Sequence, residues 1–163
     1  MLMEKKLLNL FQAQIKNELE SAYKYLGMSA FFETTAFKGF AEWMRAQTKE
    51  EIEHSIKLFD YINDRGHRVE LLPIASMPTQ YNSPLEVFQA ALAHEQFVTR
   101  LINEMYGVAI EVRDYAAQTF LQWYIDEQVE EEKQVQDILD RMEISGNSIS
   151  SLLALDRMLS QRK

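Results

Sequence analysis

The 163-residue chain contains no cysteine. Disulfide bonds, thiolate zinc sites and iron–sulfur clusters all need cysteine sulfur, so the sequence excludes each of them. Glycine and proline are also scarce, at five and three residues. Because a fold of many short strands needs turn residues at every connection, this scarcity argues against an all-β protein.

Positive charge is scarce as well. Seventeen lysines and arginines stand against 25 aspartates and glutamates, and the formal net charge is −8 at pH 7. Proteins that bind nucleic acid need clustered positive charge to contact the phosphates, so we expect no nucleic-acid partner. The acidic excess is compatible with the attraction of cations.

Long apolar runs are missing too. No stretch approaches the roughly 18 apolar residues that a membrane span needs. Near the N-terminus, Glu4, Lys5 and Lys6 interrupt the apolar residues where a signal peptide would have its apolar core. We therefore expect a cytoplasmic protein without a membrane partner.

The sequence does have helical periodicity. Apolar residues make up 47% of the chain, a usual share for one globular domain of this length. They recur at spacings of three and four, which predicts amphipathic helices. The predicted helices cover about 4–33, 38–65, 84–112, 115–144 and 148–161. Gly66 is placed for a left-handed C-cap, and Ser83, Pro84 and Glu86 form the start signal of helix three.

The connections predict the topology. Short connections after helices one and three make each of these helices antiparallel to the next one. The long loop over 67–82 can extend about 55 Å, which exceeds the length of about 42 Å of a 28-residue helix. It can therefore cross the bundle and leave helices two and three parallel. We predict an all-α single domain over 1–163, with a four-helix bundle over about 4–144, one long crossover between helices two and three, and a short C-terminal fifth helix.

Polar side chains interrupt each apolar stripe near its midpoint. They are Glu18 on helix one, Glu51 and His54 on helix two, Glu95 on helix three, and Gln128 and Glu131 on helix four. Mid-helix positions lie at one depth whichever way a helix runs, so these side chains should meet in the core. Buried carboxylates without partners are costly, and two divalent ions would balance their four charges. Oxygen donors with one imidazole suit iron(II), manganese or zinc.

The spacing of these residues repeats between the two halves of the chain. Glu18 and Glu51 are 33 residues apart, and so are Glu95 and Gln128. This repeat is expected of a pseudo-twofold bundle with a metal pair between its halves. A polar core that is satisfied without metal is the alternative interpretation.

Other polar residues near the stripes have weaker signals. We interpret His67 as a surface residue, because it follows the helix-ending glycine. We interpret His94 either as a structural group or as one that supports a ligand from behind, because it points about 100° away from Glu95 on the helix. Further glutamates flank the stripes and form either a solvated helix edge or a weaker third cation site. They are Glu50, Glu127 and Glu130.

Four motifs, one on each long helix, match a known family. They read NELESAYKY over 17–25, EEIEH over 50–54, HEQFVT over 94–99 and FLQWYIDEQVEEEK over 120–133. Together they resemble the non-haem ferritins of bacteria and archaea, over nearly the whole chain. The resemblance implies a ferritin-like fold and a ferroxidase with two iron ions per subunit. It implies one iron ligated by Glu18, Glu51 and His54, and the other by Glu51, Glu95 and Glu131.

The resemblance also implies roles for residues around this pair. Gln128 resembles the family's glutamine beside the second iron, Tyr25 a tyrosine that assists electron transfer, and Trp123 a family aromatic. The third-site carboxylates of the bacterial branch correspond to Glu50, Glu127 and Glu130. The fifth helix resembles the one that lines the four-fold axis of a hollow shell of 24 identical subunits.

The implied activity is oxidation of iron(II) by O₂ or H₂O₂, with ferric mineral stored inside the shell. Haem is not expected, because Ile52 stands where bacterioferritins carry the haem-binding methionine. Two alternatives remain: a di-iron protein that activates O₂ against an organic substrate, and a metal-free helical assembly protein.

Overall fold

The computed structural model describes residues 2–146 and 148–162, and these form five helices and no strand. The helices are α1 (Lys5–Glu33), α2 (Lys38–Asp64), α3 (Pro84–Glu111), α4 (Tyr115–Ile144) and α5 (Ile149–Leu159). The predicted all-α fold is thus confirmed. Predicted ends differ by one or two residues, because several predicted ranges included the capping residues that flank each helix.

Local signals explain where the helices begin and end. The Ser83 hydroxyl accepts a hydrogen bond from the Glu86 amide at 3.1 Å, as predicted for the start of α3. The Glu86 carboxylate in turn accepts from the Asn82 amide at 2.6 Å. Gly66 follows α2 with a φ of +74°, which is the left-handed conformation expected of a C-cap glycine.

The bundle core consists of two apolar clusters. The first includes Phe32 of α1, Phe40 of α2, Phe88 of α3 and Val135 of α4. The second includes Phe11, Leu58, Ile102 and Leu121, in the same helix order. The early residues of α2 and α3 therefore share one end of the bundle with the late residues of α1 and α4. This arrangement makes α2 and α3 parallel, with the crossover between them, as predicted.

The crossover between α2 and α3 lies along α1. The Glu20 carboxylate accepts a hydrogen bond from the Ala75 amide at 3.1 Å. At Gly27 the loop comes so close that an added Cβ would lie 2.3 Å from the Pro78 carbonyl oxygen. A larger residue at this position would push the crossover away from α1.

The fifth helix packs against the start of α2. An added Cβ on Gly39 would lie 2.0 Å from the Asp156 carbonyl oxygen. The Asp156 carboxylate accepts a hydrogen bond from the Phe40 amide at 2.8 Å. Because the residue that precedes α2 makes no side-chain cap, Asp156 supplies an acceptor to its first turn from 116 residues away. In the described part of the chain, no helix is apolar enough over sufficient length to cross a membrane.

Candidate metal centre

A polar layer separates the two apolar clusters at mid-height of the bundle. It contains the six side chains that the sequence places at one depth, and each is at most 6% exposed. They are Glu18, Glu51, His54, Glu95, Gln128 and Glu131. On each of the four long helices, these polar residues lie on the same buried face as the apolar core residues. The structure therefore brings together all six residues that the sequence analysis singled out for the metal pair.

The potential ligand atoms of this layer form two overlapping groups. Glu18, Glu51 and His54 form one group, and Glu51, Glu95 and Glu131 form the other. Within each group the ligand atoms lie within 4.8 Å of one another. Ligand atoms bound at about 2.0–2.2 Å from one ion lie within roughly 4.4 Å of each other, so each group is close to metal-binding geometry. Glu51 belongs to both groups, which is the position required of a bridging carboxylate.

Burial and mutual repulsion raise the pKa values of Glu51, Glu95 and Glu131. Burial, followed by the charges of Glu95 and Glu18, raises the pKa of Glu51 well above its usual value. Burial raises the pKa of Glu95 to about 7, although hydrogen bonds from Tyr25 and Gln128 oppose the shift. Burial and then the Glu95 charge raise the pKa of Glu131 to about 8. A divalent cation bound among them would displace protons and neutralise the charge.

Side-chain amides contact three of the four carboxylates. The Gln128 Nε2 lies 3.2 Å from Glu95 Oε2. Gln14 Nε2 donates to Glu18 Oε1, and Gln47 Nε2 donates to Glu131 Oε2, each at 2.9 Å.

Neither Gln14 nor Gln47 was predicted as a site residue from the sequence. A signal was present: each glutamine lies four residues before a ligand glutamate on its own helix, a spacing that puts both side chains on one face.

Aromatic side chains surround the polar layer. The buried Tyr25 hydroxyl donates a short hydrogen bond to Glu95 Oε1. The Tyr124 hydroxyl donates to the His54 backbone oxygen at 2.6 Å, a contact that the sequence analysis did not predict. The Trp123 ring lies 5.3 Å from the His54 ring, at the exposed edge of the layer. Tyr25 thus contacts a candidate ligand directly, whereas Trp123 neighbours one.

The three flanking glutamates do not share one ligand group, although burial and then the charges of Glu130 and Glu50 raise the pKa of Glu127. Glu127 Oε1 lies 3.7 Å from His54 Nε2, and Glu127 forms a further group with His54 and Glu131. Glu50 instead forms an ion pair with Arg162 at 2.7 Å. Glu130 is exposed. Of the predicted third-site residues, the structure brings only Glu127 to the ligands of the metal pair.

The other two histidines lie outside the three ligand groups. The His94 Nε2 is 2.7 Å from the Ser21 hydroxyl, and burial lowers the pKa of His94 to about 4. This contact fits the structural interpretation of His94. His67 accepts a hydrogen bond from the Met3 amide at 2.8 Å and is half-buried, so it is less exposed than the sequence analysis predicted. Its contact ties the N-terminal segment to the end of α2.

Comparisons with known proteins agree with this architecture. Residues 8–145 match the family model described as the ferritin-like domain. A bacterial non-heme ferritin from Bacteroides fragilis is 37% identical over 99% of this chain and 100% of its own length. Its counterpart from Escherichia coli O157:H7 is 38% identical over 90% of this chain and 89% of its own. A crystal structure described as an open pore ferritin from Archaeoglobus fulgidus has a TM-score of 0.97 and 40% identity, covering 99% and 98% of the two chains.

Proposed function

Because the chain belongs to the ferritin family, we propose that it oxidises iron(II) at the buried centre and stores the ferric product inside a homo-oligomeric shell. Iron is both the substrate and the cargo of this protein. The observation that carries the proposal is the position of Glu51, which belongs to both three-residue ligand groups. A carboxylate shared in this way can hold two metal ions side by side.

The proposed ligand sets follow the two groups. The first iron is ligated by Glu18, Glu51 and His54, and the second by Glu51, Glu95 and Glu131. Gln128 contacts the second site through Glu95. The donors are carboxylate oxygens and one imidazole nitrogen, which suit iron in both oxidation states. Hard carboxylate oxygens bind iron(III) more strongly than iron(II) and so favour its oxidation.

The pairing of two ions matches the electron count of the oxidation. Each iron(II) gives up one electron, so a pair supplies the two electrons that reduce O₂, with two protons, to H₂O₂. With H₂O₂ as the oxidant, the same two electrons and two protons give two molecules of water. Tyr25 contacts Glu95 directly and is the proposed auxiliary electron donor.

Storage requires an enclosed space that a single bundle lacks. Many large apolar side chains of α1, α2 and the crossover are exposed, including Tyr23, Leu26, Ile56, Leu71 and Ile74. Exposed apolar surface of this kind is typical of subunit interfaces. We propose a shell of 24 subunits, as the family resemblance implies. Light scattering of the purified protein tests this number, and a particle mass of one or two subunits would contradict storage.

The role of Glu51 is tested by substitution. Glu51→Ala removes a ligand from both sites, so we expect iron(II) oxidation to slow by at least about 100-fold. Glu53→Ala is the matched control, because Glu53 lies exposed on the same helix and outside the ligand groups. The measurement is the initial rate of ferric absorbance after aerobic mixing, with the particle mass checked for each variant. Parent-like oxidation by the Glu51 variant would contradict the proposed site.

The proposed third site is Glu127 with the outer side of His54 and Glu131, as the structure groups them. Glu50 and Glu130 would join it only after a change in side-chain conformation. A third ion bound there lies nearer to the bundle surface than the pair, because Glu127 is half-buried. Such a site would hold an ion on its way into or out of the centre.

A further inference from the structure

Three buried glutamines donate hydrogen bonds to carboxylates of this centre. Gln128 donates to Glu95, whose other oxygen accepts from Tyr25, and Gln14 and Gln47 each donate to a carboxylate that has no second donor. Gln14 occupies Glu18 Oε1, and Gln47 occupies Glu131 Oε2. The second oxygen of each carboxylate, Glu18 Oε2 and Glu131 Oε1, is buried without a hydrogen-bond partner. Each of these two carboxylates therefore has one oxygen engaged by an amide and one oxygen left for a cation.

Glu51 differs from them in the way that a bridge requires. Among the described residues, no glutamine or asparagine amide donates to Glu51. Its contacts are the His54 ring at 3.3 Å and the neighbouring Glu18 carboxylate. A bridging carboxylate must offer one oxygen to each ion. Amides thus donate to carboxylates that would ligate only one ion of the pair. Glu51, which belongs to both ligand groups, accepts from no amide.

An amide donor changes how a carboxylate binds iron. A carboxylate with two free oxygens can chelate one ion through both, whereas a hydrogen bond to one oxygen favours binding through the other alone. Binding through one oxygen leaves more coordination positions open to the oxidant. The N–H donor also draws charge from the carboxylate, which weakens its hold on iron(III).

The burial of Gln47 supports a role beyond packing. Its side chain is fully buried, and its own Oε1 has no hydrogen-bond partner among the described residues. A buried amide oxygen in this state is destabilising, and an apolar side chain would fill the space at less cost. What the amide does supply is a donor that crosses from α2 to a candidate ligand on α4.

We propose that Gln14 and Gln47 are positioning residues that keep Glu18 and Glu131 bound to iron through one oxygen each. They touch the ligands and not the iron. By limiting these carboxylates, they keep positions open for the oxidant and let the ferric product leave. This inference rests on the proposed function, since it assigns positioning roles to two residues of the same centre.

Substitution by methionine removes the donor and keeps a side chain of similar length. Gln14→Met and Gln47→Met leave both oxygens of one ligand free, so each should allow chelation of the ion. Gln89→Met is the matched control, because Gln89 is exposed on α3 and lies away from the polar layer. The first readout is the anaerobic visible spectrum of cobalt(II) bound to the shell, since its intensity falls as the coordination number rises.

We expect a weaker cobalt(II) band in both buried-site variants and a parent-like band in the control, at equal cobalt per subunit. The second readout separates the first oxidation from later ones. The initial burst should slow because fewer positions are open to the oxidant, and repeated iron additions should be oxidised about 10-fold more slowly still because iron(III) is also retained. Parent-like spectra together with parent-like repeated turnover would overturn the inference.

Zinc-soaked crystals of the parent protein keep the inference testable if a variant fails to assemble. The expected structure has zinc bound through one oxygen each of Glu18 and Glu131, with the glutamine amides still on the other oxygens. Chelation of zinc by both oxygens of either carboxylate would overturn it. Such a failure would leave the proposed function intact, because the oxidation rate of Glu51→Ala and the particle mass test that function separately.

Discussion

The contact between α5 and the start of α2 leads to a prediction with a built-in control. At Gly39 an added Cβ would lie 2.0 Å from the backbone oxygen of Asp156. Backbone cannot move aside as a flexible side chain can, so α5 would have to retreat by about 1.4 Å to reach the 3.4 Å of ordinary contact. At Gly107, four residues before the end of α3, nothing lies within 4 Å of the same added atom.

The two Gly→Ala substitutions should therefore have opposite effects on stability. In Gly39→Ala, forced separation costs about 1–3 kcal/mol, and the hydrogen bond from the Phe40 amide to the Asp156 carboxylate, worth about 1.5–3 kcal/mol, is weakened or lost. The helix-propensity gain of at most about 1 kcal/mol offsets only part of this. We expect the docking of α5 to weaken by about 2–4 kcal/mol. Gly107→Ala should instead stabilise the protein by about 0.5–1 kcal/mol.

Amide hydrogen exchange measures this difference locally. A loss of 2 kcal/mol corresponds to exchange about 30-fold faster, and we expect at least this acceleration for the α5 amides and for Phe40. The same amides should exchange at the parent rate in Gly107→Ala. Unchanged α5 exchange in Gly39→Ala, or equal acceleration in both variants, would refute the steric argument.

Further predictions concern the centre and its edge. Arg162→Gln removes the cation paired with Glu50 and so frees this carboxylate for a metal ion. The weakest phase of zinc binding should then tighten about fivefold in calorimetric titration. Unchanged binding would contradict the idea that Arg162 competes with a metal ion for Glu50. Tyr25→Phe releases Glu95 and should slow aerobic iron oxidation about 10-fold in stopped-flow absorbance, with the shell intact; a parent-like rate would exclude a role for the hydroxyl. Zinc at 100 times its dissociation constant should raise the free energy of unfolding by about 2.7 kcal/mol in guanidinium titrations, and no such rise should occur in Glu51→Ala.

The sequence predicted the helices and the depth of the polar layer because both follow from one periodicity. Apolar residues at spacings of three and four define the buried stripe, and a glutamate on that stripe is buried with it. Glu18, Glu51, Glu95 and Glu131 could therefore be identified as one cluster before their distances were known. The crossover followed from loop length, because a loop of sixteen residues can reach across the bundle whereas the other connections cannot.

Contacts between distant parts of the chain could not be predicted in the same way. Helical phase shows that Glu50 lies beside the stripe, but only the docking of the segment after α5 brings Arg162 to it. Likewise, phase places Gln47 inside the bundle without showing that its amide reaches Glu131 on α4. No sequence pattern around Gly27 or Gly39 predicts that another backbone segment lies close to them.

One measurement tests the central claim that Glu51 joins two ions within the bundle. Crystals soaked anaerobically with ferrous salt and measured at the iron absorption edge should show two anomalous peaks, one among Glu18, Glu51 and His54 and one among Glu51, Glu95 and Glu131. Glu51 should contact both peaks, one through each oxygen. A single peak without Glu51, or no peak with the carboxylates hydrogen-bonded to one another, would contradict the account.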